Sequence, residues 1–400
     1  MSKKINPGNN GNNGNNGNRG NPGNPGNPGN PGNLHTVLGL MSGTSLDGLD
    51  MACCRFWKSG IRWKYEILKA ETIPYPPEWK QRITDLPEES AIAFAQTDAD
   101  LGQFMGKYTR EFLEKNHLIP DFISSHGHTV FHQPGKRLTV QIGKGSAIAA
   151  ETGLPVVCDF RTVDVALGGQ GAPLVPIGDR LLFPMYDYCL NLGGFANISF
   201  EKKGKRIAFD ICPCNIVLNK LAERSGYCYD PEGTLAQRGH INHLLLDSLN
   251  NIPYYHEPPP KSLGKEWVGA FIDPILAQYV PGIGSPVPSS PSGSRKPEAG
   301  IPDLLHTFCE HIAIQIGKYT GTARTKGILI TGGGALNHFL VERIRHHVSP
   351  QVILPGIQTI EYKEALIFAF LGLLRWLNEV NCLSSVTGAS RDHTGGAIYR

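Results

Sequence analysis

No apolar run in this 400-residue chain approaches the ~18–20 residues that a membrane span needs, so no membrane partner is expected. The lysines at positions 3 and 4 are followed by no apolar stretch, which argues against a secretory signal. Charge is sparse as well. Charged residues are 18% of the chain and the formal net charge is only +3, so no basic face is implied and nucleic acid is not an expected partner. The nine cysteines include no Cys-x-x-Cys pair. Cys212-Pro213-Cys214 has one residue between its thiols, where redox and zinc motifs have two, and reads as a packed turn. An odd, irregular set in a chain without a signal reads as reduced thiols in a cytoplasm.

What the chain does have is length, glycine and pattern. Four hundred residues suffice for two ordinary domains. Residues 6–33 are a low-complexity tail of Asn, Gly and Pro, with Gly at every third position from Gly8 to Gly32. That period is also collagen's, because only Gly fits the triple-helix axis. Nine triplets would make a short triple helix, and regular proline joins only from Pro22. A disordered, solvated tail with nothing to bury is therefore expected.

Strand-like runs follow at 35–41, 50–57 and 61–73, and again at 121–125, 138–142 and 155–158. Between the two sets, Leu101, Phe104, Met105, Tyr108 and Phe112 fall at helical spacing. A second segment opens near Tyr188 with strand, glycine turn and strand. Helical stretches at 214–250 and 269–280 follow, then an exposed Pro/Gly/Ser loop at 281–299. A long helix near 301–321, the strand 328–330, the turn Thr331 to Gly334 and a helix from about Ala335 complete it. Two segments with the same opening predict two similar α/β domains around a shared cleft. Residues 34–186 would form the first, joined by part of the C-terminal segment, and 187–400 the second.

The most informative stretch runs from Gly39 to Ala52. A strand leads into Ser42-Gly43-Thr44-Ser45-Leu46-Asp47-Gly48, and another strand leads out. Such a hairpin can aim several backbone N–H groups at an anion, because Gly43 and Gly48 carry no side chain. Asp47 would add a carboxylate able to hold Mg²⁺, through water. It is not a Walker loop, which runs from strand to helix and carries a Lys that is missing here. An ordinary polar hairpin fits the residue types equally well. The turns at Gly193-Gly194 and Gly332-Gly333-Gly334 would bring backbone donors to the same cleft, the third at a helix N-terminus. Three glycine turns make a reasonable site for a nucleoside triphosphate.

Met41 to Gly48 resembles the signature of the anhydro-N-acetylmuramic acid kinase family, which has the actin-like, sugar-kinase/Hsp70-type fold. The resemblance continues through His126-Gly127-His128-Thr129-Val130-Phe131-His132, Gln141-Ile142-Gly143 and the long segment Asp159 to Pro176. It then takes in Asn191 to Ile198, Thr331 to Gly334, Glu364-Ala365 and Val386 to Ser390, covering nearly everything from residue 35 on. It implies two actin-like (ribonuclease H-like) domains around a nucleotide cleft, and a cytoplasmic kinase of cell-wall recycling that uses ATP and Mg²⁺. The substrate would be a small amino sugar, 1,6-anhydro-N-acetylmuramic acid. Its anhydro bridge is opened by water as O6 is phosphorylated. A homodimer is compatible with this reading.

By this likeness, Gly43, Thr44, Ser45, Leu46, Asp47, Gly48, Leu49 and Asp50 match the ATP phosphate-binding hairpin. Asp210 matches the catalytic Asp that opens Asp-Thr-Gly-Pro-Gly-Asn in the family. Here that stretch reads Asp210-Ile211-Cys212-Pro213-Cys214-Asn215, so a Thr and two glycines are replaced. His128 stands where the family usually has Gln, and the usual acidic pair before Glu364 is missing. These departures bear on the sugar more than on phosphoryl transfer. A kinase for a different sugar, or an actin-like ATP-binding protein without turnover, are the alternative functions.

Each candidate has a structural alternative. Asp210 follows a strand-like run and precedes a helix, so it suits a general base at the cleft or a helix N-cap. Arg161 could grip the lactyl carboxylate of a muramic acid in bidentate fashion, or pair with Asp164 at the surface. Glu364 could hold a sugar hydroxyl, or serve as a favourable charge in a first helical turn. His126 joins Arg161, Asp164 and Glu364 as expected substrate contacts. His126, His128 and His132 have no Cys or carboxylate at zinc-like spacing, so no zinc is expected on them.

Overall fold

The computed structural model describes residues 34–280, 283, 300–321 and 326–400; the tail expected at 1–33 and, Ile283 apart, the loop expected at 281–299 lie outside them. Each of two sheets opens with three consecutive antiparallel strands. In the first these are β1 (Leu34–Ser42), β2 (Gly48–Ser59) and β3 (Arg62–Pro74). β4 (Phe122–Gln133) joins β1 in parallel, β5 (Leu138–Ile142) folds back on β4, and β6 (Val156–Cys158) joins β4 in parallel. The second sheet repeats the plan. β7 (Tyr188–Leu192), β8 (Phe195–Lys202) and β9 (Lys205–Pro213) are antiparallel, then β10 (Ile328–Thr331) and β11 (Val352–Ile353) add in parallel. The orders β3-β2-β1-β4-β6 and β9-β8-β7-β10-β11 are the same order. This is the expected pair of actin-like α/β units. β12 (Ala397–Tyr399), from the end of the chain, pairs with β6 of the first sheet.

β1 from Val37 onward and β2 from Met51 to Cys54 are buried on both faces because both faces are covered there. On one face lies the helix Ala91–Lys115, capped by Ser90, whose hydroxyl accepts from the Ala93 N–H. Its stripe divides: Leu101, Met105 and Phe112 enter the core, while Phe104 and Tyr108 meet as tilted rings, 4.6 Å between centroids. The other face meets the helix Ile357–Trp376. Ala365 to Leu374 is buried without interruption, since this helix packs on β1, β2 and β4 and also on β10 of the second sheet. One apolar core thus runs from Phe56 and Phe122, through Phe368 and Phe370, to Cys189 and Leu329.

Two sequence expectations shift. Asp210 lies inside β9, and the N-cap of the following helix Asn215–Glu223 is Cys214, so Asp210 is not a cap. Glu364 keeps the first-turn place expected of it, two residues after the kink at Tyr362 that divides the helix Ile357–Trp376. The helix expected from Ala335 begins at His338, after a 3₁₀ turn; Asn337 caps it by accepting from the Leu340 N–H at 2.9 Å.

Candidate active site

A cleft of about 880 Å³ is lined by residues from both sheets and from the helix Ile357–Trp376, among them Asn197, Asp210, Lys261, Arg161 and Glu364. β9 brings Asp210 to the cleft opposite Asn197 of β8. Its Oδ2 accepts from the Leu263 N–H at 2.9 Å, and its backbone is gripped from the same segment, the Asp210 N–H donating to the Lys261 carbonyl at 3.2 Å. Tyr254 completes the hold by donating its hydroxyl to the Asp210 carbonyl at 2.6 Å. Among the described residues nothing hydrogen-bonds Oδ1. Burial pushes the carboxyl up from 3.8 to about 6, against the opposing pull of the Leu263 N–H. A carboxylate with one oxygen fixed, one open, and a proton affinity near neutrality suits general-base work.

Arg161 reaches the cleft from the end of the segment before the short helix Thr162–Ala166. Its Nε and Nη2 donate to His126 Nε2 at 3.0 and 2.8 Å, and Nη1 donates to the Gly171 carbonyl at 2.5 Å. The Nε edge is therefore turned to His126, and only the Nη1/Nη2 end is left for an anion. His126 is buried behind Arg161, with Nδ1 2.8 Å from the Gly127 carbonyl, and it does not line the cleft. Burial, and then the neighbouring guanidinium, holds this imidazole well below its usual range. His126 thus acts on the cleft through Arg161.

Asp164 is fully buried and does not form the surface pair with Arg161. Its carboxylate accepts from the Gly171 N–H at 2.7 Å and from Thr387 Oγ1 at 2.7 Å. It ties the Gly168–Gly171 loop to the C-terminal segment. Glu364 does line the cleft; burial and then Asp50 raise its carboxyl, against the opposing pull of Lys363 and then Arg161.

The hairpin divides. Leu49 and Asp50 are paired on both sides of β2 and Gly48 with β3 alone, while the Leu46 N–H donates to the Gly43 carbonyl at 3.1 Å, so the turn's other N–H groups, in Gly43 to Asp47, are the candidate donors. Leu49 is buried, and Asp50 accepts from Thr72 Oγ1 at 2.6 Å. Gly48 has no side chain because β3 leaves no room: a Cβ would lie 2.4 Å from the Ile73 carbonyl oxygen. Ser42 turns inward, its Oγ 2.9 Å from His128 Nδ1 and 2.9 Å from the Tyr75 hydroxyl. Asp47 is exposed. The other two glycine turns meet each other. Thr331 pairs with Asn191, and Gly332, at φ +83°, packs where a Cβ would be 2.6 Å from Asn191 Oδ1. The carbonyls of Gly193 and Gly194 accept from Asn215 and Cys214, and Asn215 Nδ2 donates to the Leu192 carbonyl at 3.1 Å. Of the first turn's strand, Met41 reaches the cleft.

Sequence reasoning missed the buried ionic floor of the cleft. Lys363 Nζ is 2.7 Å from Asp179 Oδ1, and Asp179 Oδ2 accepts from Ser199 Oγ, which in turn accepts from Arg206 Nη2 at 2.7 Å. Burial alone would lower the Lys363 ammonium, but Asp179 raises it, and the net shift is upward. A Lys beside Glu364 in an otherwise apolar helical run was the available signal. Lys261, in the run Pro258-Pro259-Pro260-Lys261, had none.

Comparison with known proteins now decides the family. The sequence profile described as anhydro-N-acetylmuramic acid kinase matches residues 35–400. The chain belongs to the anhydro-N-acetylmuramic acid kinase family. The kinase of that name from Hydrogenovibrio crunogenus is 32% identical over 90% of this chain and 97% of its own. The one from Vibrio parahaemolyticus serotype O3:K6 is 33% identical over the same shares. Among solved structures, the activator of the 2-hydroxyisocaproyl-CoA dehydratase from Clostridium difficile, with bound ADPNP, aligns with 84% of this chain and 92% of that one, at 13% identity and a TM-score of 0.41. For this family member, the altered stretch after Asp210 has a plain structural reading. Ile211, Cys212 and Cys214 point into the core of the second sheet, and of Asp210 to Asn215 only Asp210 lines the cleft. No helix among the described residues is long and apolar enough to cross a membrane.

Proposed function

We propose that this member of the anhydro-N-acetylmuramic acid kinase family uses ATP and water to convert 1,6-anhydro-N-acetylmuramic acid to N-acetylmuramic acid 6-phosphate, in the cytoplasm. The observation that carries this reading is Asp210: a half-buried carboxylate at the cleft, one oxygen open, with a proton affinity raised to about 6. Asp210 takes a proton from water as that oxygen bonds to the anomeric carbon. The C1–O6 bond breaks, O6 bonds to the γ-phosphorus, and the bond to the β-phosphate oxygen breaks, releasing ADP. Arg161, held by His126, offers its Nη1/Nη2 end to the lactyl carboxylate, and Glu364 accepts from a sugar hydroxyl. Asp164 supports the wall of the cleft rather than the sugar. The ATP phosphates lie against the backbone of Gly43 to Asp47 and the paired turns at Gly193-Gly194 and Gly332 to Gly334.

Mg²⁺ fits this arrangement in one way. Among the described residues no three ligating side chains converge at the hairpin, so the ion would stay with the phosphates and its waters, reached by the exposed Asp47 through water. It would neutralise charge on the transferred group. The test is mass spectrometry of the product after incubation with ATP and the anhydrosugar, its non-anhydro form, or plain hexoses. Gain of both phosphate and water with the anhydrosugar supports the proposal. Phosphorylation of another sugar alone rejects it.

A further inference from the structure

Behind the cleft wall, Asp164, Cys382 and His393 bring an oxygen, a sulfur and a nitrogen within 4.8 Å of one another, all three residues buried. Their meeting is built by the backbone. Cys382 and His393 face each other across an antiparallel bridge, each N–H donating to the other's carbonyl, at 3.1 and 3.2 Å. Asp164 comes from the short helix Thr162–Ala166, some 218 residues from Cys382. Cys382 Sγ lies 3.1 Å and His393 Nε2 3.7 Å from the same oxygen, Asp164 Oδ1.

Two features set this cluster apart from a chance gathering. The first is an orphan. His393 Nε2 is buried with no hydrogen-bond partner, and His393 as a whole is only 7% exposed. Its Nδ1 is turned to the Arg391 carbonyl at 3.3 Å, so that nitrogen carries the proton and Nε2 presents a lone pair. A buried lone pair aimed at a carboxylate is unfavourable unless something positive lies between them. The second feature is the outer support. Ligating histidines usually donate their other ring N–H to a carbonyl or carboxylate, and ligating carboxylates are themselves hydrogen-bonded. His393 has the Arg391 carbonyl, and the far oxygen of Asp164 has the Gly171 N–H at 2.7 Å. For bonds of about 2.0–2.3 Å in a tetrahedron, ligand atoms stand roughly 3.2–3.8 Å apart, close to the 3.1 and 3.7 Å that separate Cys382 Sγ and His393 Nε2 from Asp164 Oδ1.

We propose that Asp164, Cys382 and His393 form a structural site for a borderline-soft divalent cation of the zinc type. The fourth position falls to a water, while the Thr387 hydroxyl keeps its 2.7 Å hydrogen bond to Asp164 Oδ1. Binding releases the thiol proton, and the ion clips the C-terminal segment to the Gly168–Gly171 loop that positions Arg161. The site has no part in phosphoryl transfer.

The test uses tag-free, full-length protein carrying Cys228→Ser, which removes the exposed thiol. After dialysis against a chelator, Co²⁺ is titrated in. One equivalent should produce a thiolate-to-cobalt charge-transfer band and visible d–d bands, which Zn²⁺ abolishes. Zn²⁺ should also raise the thermal midpoint of the apo protein by several degrees. Cys382→Ser should lose the charge-transfer band, and His393→Gln should weaken Co²⁺ affinity tenfold or more. If either variant fails to fold, the titration of the Cys228→Ser protein decides. A folded protein that shows no band at one equivalent and no midpoint shift with Zn²⁺ overturns the proposal. A proton on His393, paired with Asp164, would then be the occupant.

Discussion

At the scale of the residue, Asp210 makes the sharpest demand. Its folded proton affinity, about 6 against an ordinary 3.8, means the folded state holds the proton more tightly than the unfolded chain does. Stability from this group therefore falls as pH rises through the window from 3.8 to about 6, and stays lower above it. Asp210→Asn removes that cost. The variant should be more stable than the parent at pH 7.5, by on the order of 2 kcal/mol, with the difference shrinking towards pH 4. Its turnover should drop ~10²–10⁴-fold while ATP binding persists, because an amide keeps the shape but takes no proton. Thermal melts at both pH values and calorimetric ATP titration check both halves. For the parent, kcat/KM should fall on the acid side with an apparent pKa near 6. A flat profile between pH 5 and pH 8 would contradict Asp210 as base. The residue itself was legible, because a family match pointed at it. Its tuning was not, since the N–H that contacts it belongs to Leu263, 53 residues on, and burial cannot be read from neighbours in the chain.

At the scale of the element, the strand runs were legible because apolar alternation and glycine punctuation mark them. What escaped was where elements meet. The helix Ile357–Trp376 looked like one more apolar helix, yet it fills the space between two sheets and carries Lys363 into a buried ion pair. That partner, Asp179, lies on the helix Val175–Leu182, and no local pattern joins the two. Removing one member of a buried pair leaves the other charge uncompensated. Lys363→Met should cost about 3–5 kcal/mol, read from denaturant midpoints, and the double variant Lys363→Met/Asp179→Leu should recover part of it. The hairpin teaches a similar lesson. Glycine at position 48 suggested room for an anion, whereas the structure uses it to admit the Ile73 carbonyl. Gly48→Ala should destabilise the fold by about 1–3 kcal/mol through the β2–β3 contact. At Gly43 an added Cβ would meet only the Ser45 hydroxyl, at an ordinary 3.5 Å, so Gly43→Ala should leave the melting midpoint nearly unchanged. Equal destabilisation by both changes would refute this division of the hairpin.

At the scale of the whole molecule, two sheets of the same strand order face one cleft, to which the second sheet brings Asp210 and the first brings Met41, just before the hairpin. The ionic floor joins them: Lys363 and Asp179 from the helices meet Ser199 and Arg206 of the second sheet. This floor is fixed by buried charge and by the apolar core that the helix Ile357–Trp376 carries between the sheets, and we propose that the walls above it close about a hinge. Closure on ATP and sugar would exclude bulk water, limit idle hydrolysis and bring Asp210 and the γ-phosphate to the same sugar. One water must stay, because it is the reactant that opens the bridge. Two outcomes follow. ATP hydrolysis without sugar should be slow and strongly stimulated by the anhydrosugar. Small-angle scattering should give a smaller radius of gyration with the anhydrosugar and a non-hydrolysable ATP analogue than with neither. Lys363→Met, if it folds, should blur that change, since the walls would no longer turn about a fixed floor. Identical hydrolysis rates with and without the sugar, together with an unchanged radius, would mean that the cleft is already closed when empty. The coupling of bridge opening to phosphorylation would then have to come from the placement of Asp210 alone.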